Sequence, residues 1–132
     1  MAIKILIIDD DVELCEEIKE PLEDEGYSVT TEHNGLKAKR LIENYDYDIL
    51  LLDIRLPGLT GLEILKGIKD KGMKPKVLII TGRPLKKILP EGADAVEDEE
   101  EATLKLADGI INKPFDGMAV LNKIKELIGK SQ

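Results

Sequence analysis

The chain has 132 residues, 42% of them hydrophobic and 35% charged, and a formal net charge of −8 at pH 7. This length suits one packed domain, so we expect residues 1–132 to form a single domain. The negative charge repels nucleic-acid phosphates and anionic lipid, which makes another protein the expected partner. No apolar stretch approaches the ~20 residues of a membrane-spanning helix. The lone Cys15 cannot form an internal disulfide, so we expect a cytoplasmic protein.

The first strand and helix are predicted at the N-terminus. Residues 3–8 (IKILII) are almost continuously apolar, which is typical of a strand covered on both faces. A helical period follows over 12–25, with Asp11 as a predicted N-cap and Gly26 as a predicted C-cap. Pro21 lies inside this helix and costs about 3 kcal/mol unless the helix bends, so we expect a kink there.

The next elements are an edge strand, a helix and a second buried strand. The alternating run at 27–31 predicts the edge strand, and the segment 35–45 has helical period. His33 stands beside an Asn-Gly turn between them, and we expect it to be exposed. Residues 48–52 (DILLL) predict a strand buried on both faces.

The third helix is predicted over 61–70. Thr60 followed by Glu63 has the spacing of a capping box at its start, and Gly72 is a predicted C-cap. Residues 76–80 (KVLII) then predict a further buried strand. Strands and helices therefore alternate with short connections up to this point.

The connection over 82–108 is unusually long. We interpret 82–96 as a loop and 97–107 as a short acidic helix, whose charges are either a solvated face or a docking surface. A strand at 109–112 (GIIN) and a helix at 116–128, with Gly129 as a predicted C-cap, complete the chain. This alternation predicts an α/β fold with a parallel sheet and helices on both of its faces.

Three carboxylates follow two of the predicted strands. Asp9 and Asp10 end the first strand, and Asp53 ends the third. In an open parallel sheet these strand ends share an edge, where ligands bind. Three like charges in one crevice repel by roughly several kcal/mol unless they are protonated or neutralised. A set of oxygen ligands favours Mg²⁺ over Zn²⁺, so the sequence predicts a magnesium site.

Two more polar residues end the remaining buried strands. Thr81 follows the run KVLII, and Lys113 follows GIIN. Acids, a hydroxyl and an ammonium around a divalent ion are the groups that transfer of a phosphoryl group requires. Each residue alone is weak evidence, but their joint placement at strand ends indicates phosphotransfer chemistry.

The segments ILIIDDD, DILLLDIRLPGLTGLEIL, VLIITG and ADGIINKPF resemble the successive signatures of response regulator receiver domains of two-component systems. They span almost the entire chain. The resemblance implies a doubly wound, flavodoxin-like (βα)5 fold whose five-stranded parallel sheet has the order 2-1-3-4-5. It also implies a regulatory switch rather than an enzyme with an external substrate.

The resemblance assigns roles to individual residues. Asp53 would accept a phosphoryl group from a histidine kinase or a histidine phosphotransfer protein. Asp10 would contact Mg²⁺ directly, Asp9 mainly through water, and Arg55 through its backbone carbonyl. The residues implied at the phosphoryl group and its loop are Thr81, Gly82 and Lys113, with a cis peptide bond before Pro114. The modified domain, a monomer or weak dimer, would bind a downstream target through the surface near 97–107 and the fifth strand.

Three features depart from the family pattern. Ile110 stands where an aromatic ring commonly changes rotamer on activation, so the coupling of Thr81 to the surface must differ here. The connection 82–108 is longer than usual, which is thermodynamically inexpensive. Arg55 places a guanidinium near Asp53, where it would anchor phosphate, obstruct attacking water or simply face solvent.

Two other functions fit parts of the pattern. A receiver that acts without phosphorylation, as a docking or dimerisation domain, is compatible with Ile110 and the altered connection. A haloacid dehalogenase-like phosphatase would use Asp9 in an Asp-x-Asp pattern. The phosphatase hypothesis leaves Asp53 unexplained. In addition, the sequence after Lys113 lacks the paired carboxylates that such enzymes need.

Overall fold

The computed structural model describes residues 3–54, 60–81, 105–112 and 117–130, which contain five strands and four helices. In chain order these are β1 (Lys4–Ile8), α1 (Val12–Asp24), β2 (Ser28–Glu32), α2 (Gly35–Asn44), β3 (Ile49–Asp53), α3 (Gly61–Asp70), β4 (Lys76–Thr81), β5 (Gly109–Asn112) and α4 (Gly117–Lys130). All five predicted strands are present within two residues of their predicted bounds. The same holds for four of the predicted helices, those at 12–25, 35–45, 61–70 and 116–128.

The five strands form one sheet in the order β2-β1-β3-β4-β5, and all neighbouring strands are parallel. The predicted flavodoxin-like topology is therefore confirmed. The chain passes from β1 outward to β2 and then returns across β1 to β3. The helix after β1, α1, packs on one face of the sheet, and the helix after β3, α3, packs on the other, so the carboxyl ends of these two paired strands border the point where the strand order reverses.

The core lies on both faces of the sheet. In β1 the side chains of Ile5 and Ile7 pack against α1 and α4, whereas Leu6 and Ile8 pack against α2 and α3. All four are fully buried, as are the residues of β3 that pair with them. Burial on both faces explains why these strands are continuous in apolar residues, since no position of the pleat faces water.

Most of the predicted helix ends are confirmed. The Asp11 side chain accepts from the Leu14 N–H at 3.1 Å, and Thr60 forms a capping box with Glu63. Gly26 and Gly72 have left-handed backbones, with φ of 99° and 67°, directly after the C-caps of α1 and α3. The prediction for Gly129 is wrong, because α4 continues through it to Lys130. Gly129 is not among the glycines with positive φ, so its backbone stays helical and forms no left-handed cap.

Helix α1 continues through Pro21 to Asp24. A proline at this position removes the hydrogen bond that would normally reach the Glu17 carbonyl four residues earlier. Gly117, the first residue of α4, faces this place: a Cβ there would lie 2.9 Å from the Glu17 oxygen and 2.7 Å from Pro21 Cγ. The glycine therefore allows α4 to approach α1 closely at the proline.

The long connection between β4 and β5 falls mostly outside the described residues. This applies to the loop predicted at 82–96 and to most of the acidic helix predicted at 97–107. Residues 105–107 are described and form a turn and bend, so a helix does not extend to 107 as predicted. Among the helices of the described ranges, none has both the length and the apolar composition needed to cross a bilayer.

Candidate functional site

Three carboxylates meet at the carboxyl edge of the sheet. Asp9 directly follows β1, Asp53 is the last residue of β3, and the two strands are paired side by side. One carboxylate oxygen from each of Asp9, Asp10 and Asp53 lies within 4.8 Å of the other two. Asp9 is fully buried, Asp53 is 6% exposed, and Asp10 is exposed to solvent. The structure thus brings together the three acids for which the sequence predicts a shared metal.

The β1–α1 connection holds Asp9 by hydrogen bonds. Its Oδ1 accepts from the Asp11 N–H at 2.9 Å, and its own N–H donates to the Glu32 carbonyl at 3.1 Å. Asp11 in turn caps α1 through its side chain. These bonds join the end of β1, the end of β2 and the start of α1. Asp9 is therefore held in place by hydrogen bonds to its neighbours at the end of β2 and the start of α1.

Asp53 is held by the neighbouring strand β4 and by the start of α3. It pairs with Ile80 of β4, and the next residue, Ile54, donates its N–H to the Ile80 carbonyl at 3.3 Å. The Ile54 carbonyl accepts from the Gly61 N–H at 2.9 Å. A Cβ on Gly61 would overlap the Asp53 carbonyl oxygen and lie 2.8 Å from Ile54 Cα. The first turn of α3 thus rests directly on the Asp53–Ile54 backbone.

A histidine also contacts Asp9. The His33 Nδ1 lies 2.9 Å from the carbonyl oxygen of Asp9. The prediction that His33 is exposed is wrong: the residue is half-buried, because β2 lies beside β1 and the turn after β2 folds over the end of β1. The sequence pattern carries no signal of this contact, since the two residues are distant in the chain.

The donor set suits a divalent cation that prefers oxygen. Three clustered carboxylates, two of them almost completely buried, repel one another unless a positive charge or protons offset them. Mg²⁺ binds through one or two carboxylates together with water and phosphate oxygens, and the exposed side of Asp10 leaves room for such ligands. No sulfur ligand belongs to the cluster, which favours Mg²⁺ over softer metals.

The other predicted site residues lie at the same edge or outside the described ranges. Thr81 is the last residue of β4, one position beyond the residue that pairs with Asp53, and its backbone pairs with Asn112 of β5. Ile110 of β5 is half-buried and packs on the core face shared with α2 and α3. The residues outside the described ranges are Arg55, Gly82, Lys113 and Pro114.

The fold agrees with comparisons to known proteins. A family model described as "Response regulator receiver domain" matches residues 5–125. The chain belongs to this family, the receiver domains of two-component response regulators.

Individual relatives support the assignment. The chain is 36% identical over 128 residues to the transcriptional regulatory protein CpxR homolog of Haemophilus influenzae, covering 97% of this chain and 51% of that protein. It is 32% identical to QseB of Escherichia coli O157:H7, over 97% of this chain and 54% of the relative. The chain thus spans about half the length of these curated relatives.

Solved structures show the same fold. A CheY-like receiver domain protein from Methanospirillum hungatei is 32% identical, with a TM-score of 0.79 over 98% of this chain and 96% of that chain. The response regulator TrrA of Thermotoga maritima, solved in complex with Mg²⁺ and BeF, is 29% identical, with a TM-score of 0.77 over 95% and 98% of the two chains.

Proposed function

We propose that this chain is a phosphoryl-accepting switch in which Asp53 takes the phosphoryl group from a phosphohistidine. The donor is a histidine kinase or a histidine phosphotransfer protein, and Mg²⁺ is the required cofactor. The observation that carries this proposal is the convergence of Asp9, Asp10 and Asp53, whose carboxylate oxygens lie within 4.8 Å of one another.

The different surroundings of the three acids support different roles. Asp53 ends a central strand and is held by β4 and α3, which presents a fixed nucleophile at the mouth of the crevice. The buried Asp9 is better suited to holding the metal or its water, since one of its oxygens already accepts the Asp11 N–H. Asp10 is exposed and suits direct contact with the ion.

When bound, Mg²⁺ would offset the negative charge of the acids and of the incoming phosphoryl oxygens. The chain itself supplies the nucleophile and its orientation. The family resemblance adds the Arg55 backbone carbonyl as a further metal ligand, and it assigns Thr81, Gly82 and Lys113 to the phosphoryl oxygens. The cis peptide bond before Pro114 belongs to the same proposal.

Output is proposed to pass to a protein partner. The net charge of −8 makes the chain itself a poor binder of nucleic acid. The proposal also places it in the cytoplasm as a monomer or weak dimer. Phosphorylation would change the relative populations of two conformations of the surface near 82–108 and β5. Ile110 cannot swing an aromatic ring, so the signal would travel through the connection itself.

The phosphorylation chemistry is tested with acetyl phosphate and Mg²⁺, followed by intact mass measurement, and with beryllofluoride, followed by amide-shift mapping. We expect a Mg²⁺-dependent adduct of one phosphoryl group that is absent in Asp53→Asn. Asp46→Asn is the matched control, because it removes the same charge from an exposed position before β3, at the opposite edge of the sheet.

Each alternative function has its own outcome. Hydrolysis of a phosphoester that depends on Asp9 and survives Asp53→Asn would indicate a phosphatase instead. No adduct, no beryllofluoride response and no hydrolysis would favour a receiver that docks without phosphorylation. Loss of the adduct in Asp46→Asn as well would show that net charge, not Asp53, controls the reaction.

A further inference from the structure

We propose that His33 is a positioning residue of this site: its imidazole holds the Asp9–Asp10 peptide in the orientation that brings the carboxylates of Asp9 and Asp10 to Asp53. The inference rests on the proposed function, because it concerns the same metal site. It adds a residue from β2's end to a site otherwise built from β1 and β3.

The His33 imidazole donates the hydrogen bond to the Asp9 carbonyl. The His33 Nδ1 lies 2.9 Å from the backbone carbonyl oxygen of Asp9. A carbonyl oxygen only accepts, so Nδ1 carries the hydrogen and donates it. The bond therefore selects one tautomer of the neutral ring, and the same bond persists if the ring is doubly protonated.

The His33 imidazole is a stronger donor to the Asp9 carbonyl than the neighbouring thiol is. The buried Cys15 thiol also donates to the Asp9 carbonyl, at 3.5 Å, but a thiol is a weak donor. Asp9 is 0% exposed, so solvent does not reach its carbonyl in the folded protein. Loss of the imidazole would remove the stronger of these two donors from a buried carbonyl, which favours rotation of the peptide toward other partners.

His33 itself is held in place by hydrogen bonds of the turn after β2. The Glu32 carboxylate accepts from the backbone N–H groups of His33 and Asn34, at 3.0 Å and 3.2 Å. The Asn34 side chain then caps α2. In addition, the Glu32 carbonyl accepts from the Asp9 N–H. The turn after β2 is therefore fixed, and it holds Asp9 at both of its backbone polar groups.

The Asp9–Asp10 peptide connects His33 to the metal site. The carbonyl that His33 holds belongs to the peptide between Asp9 and Asp10, so rotating it changes ψ of Asp9 and φ of Asp10. Asp10 is exposed and is not fixed by core packing. The orientation of that peptide consequently decides where the Asp10 carboxylate lies relative to Asp53. His33 acts through the backbone of Asp9 and not on the ion.

The test measures binding of Mn²⁺ alone, a paramagnetic ion that uses the same oxygen ligands, by electron paramagnetic resonance. Three proteins are compared: the wild type, His33→Leu and His33→Asn. Leucine fills a similar volume without a donor, whereas the asparagine amide nitrogen occupies a place close to that of Nδ1. We expect His33→Leu to bind Mn²⁺ about tenfold more weakly and His33→Asn to stay within about twofold of the wild type.

A stability control separates positioning from a merely structural role. Gly26→Ala should lower the urea midpoint, because Gly26 has a φ of 99°, yet it lies at the opposite edge of the sheet. Its Mn²⁺ affinity should equal that of the wild type. In amide-shift spectra, His33→Leu should move the Asp10 and Asp11 signals even without metal, and His33→Asn should largely restore them.

The outcomes are distinguishable. Equal Mn²⁺ affinity in the wild type and His33→Leu would overturn the role of His33 while the proposed function stands. Equal weakening in both His33 variants would also overturn it, because the donor would then not be responsible. Absence of Mn²⁺ binding in the wild type, or binding that survives Asp10→Asn, would overturn the proposed metal site and the role of His33 with it.

Discussion

Two glycines of α3 should respond in opposite ways to the same substitution. At Gly61, a Cβ would overlap the Asp53 carbonyl oxygen and lie 2.8 Å from Ile54 Cα. At Gly67, six residues further along the helix, nothing lies within 4 Å of the Cβ position. The atoms that crowd Gly61 are backbone atoms, which cannot turn aside by changing a rotamer. Gly61→Ala therefore forces α3 and the end of β3 apart.

The magnitude follows from these distances. Ordinary van der Waals contact begins at 3.4 Å, so Ile54 Cα must retreat by about 0.6 Å, and the Asp53 carbonyl oxygen by more. Overpacking of a rigid site lowers the unfolding free energy by about 3 kcal/mol. Replacing glycine by alanine inside a helix typically raises the unfolding free energy by about 0.5–1 kcal/mol, so the overpacking cost is roughly threefold larger or more. Gly61→Ala should therefore lower Tm by roughly 10 °C, whereas Gly67→Ala should raise it by a few degrees.

Urea and thermal unfolding followed by circular dichroism measure this difference. Mn²⁺ binding gives a second readout, since displacement of the Asp53 backbone should weaken the site in Gly61→Ala and leave it intact in Gly67→Ala. A Gly61→Ala protein as stable as Gly67→Ala would refute the close contact between α3 and β3. Unchanged metal affinity in a destabilised Gly61→Ala would show instead that Asp53 does not move.

Two further predictions concern local interactions. Thr60→Ala removes the acceptor of the Glu63 N–H, 3.2 Å away, and should lower the unfolding free energy by about 1 kcal/mol in urea titrations. Thr60→Ser should match the wild type, and an equal loss in Thr60→Ser would speak against the cap. Burial raises the pKa of Tyr47 above its ordinary value of 10.0, although a hydrogen bond with Thr30 partly opposes this. The stability from the neutral phenol is fully present below that ordinary value and is lost as pH rises through the higher pKa. Ultraviolet titration of the wild type should show one tyrosine that ionises at higher pH than the others, and this tyrosine should be missing in Tyr47→Phe. A wild type without such a late-ionising tyrosine, or a late-ionising tyrosine that persists in Tyr47→Phe, would contradict the prediction.

Local signals predict the elements because each depends on neighbours in the chain. The runs at β1 and β3 lack alternation since both faces are covered, and the caps at Asp11 and Thr60 depend on residues three positions away. Gly129 shows the limit of such signals. A glycine permits a left-handed helix end but does not impose one, and Gly129 keeps the helical backbone of α4, which ends at Lys130.

Some residues of the site, too, could be predicted from local sequence signals and others could not. Carboxylates after apolar runs indicate where strands end, so Asp9, Asp10 and Asp53 were predictable as a group once a parallel sheet was expected. The strand order itself came from the family resemblance and not from periodicity. The roles of Arg55 and Lys113 remain predictions, as both lie outside the described residues.

The sequence by itself determined which residues form strands and helices and which acids stand at strand ends, because these properties depend on residues a few positions apart. Only the tertiary structure decided that His33 reaches the Asp9 carbonyl and that Gly61 rests against Asp53. Both contacts exist because β2 lies beside β1 and because α3 starts against the end of β3. Such proximity depends on how distant segments pack, which no local pattern encodes.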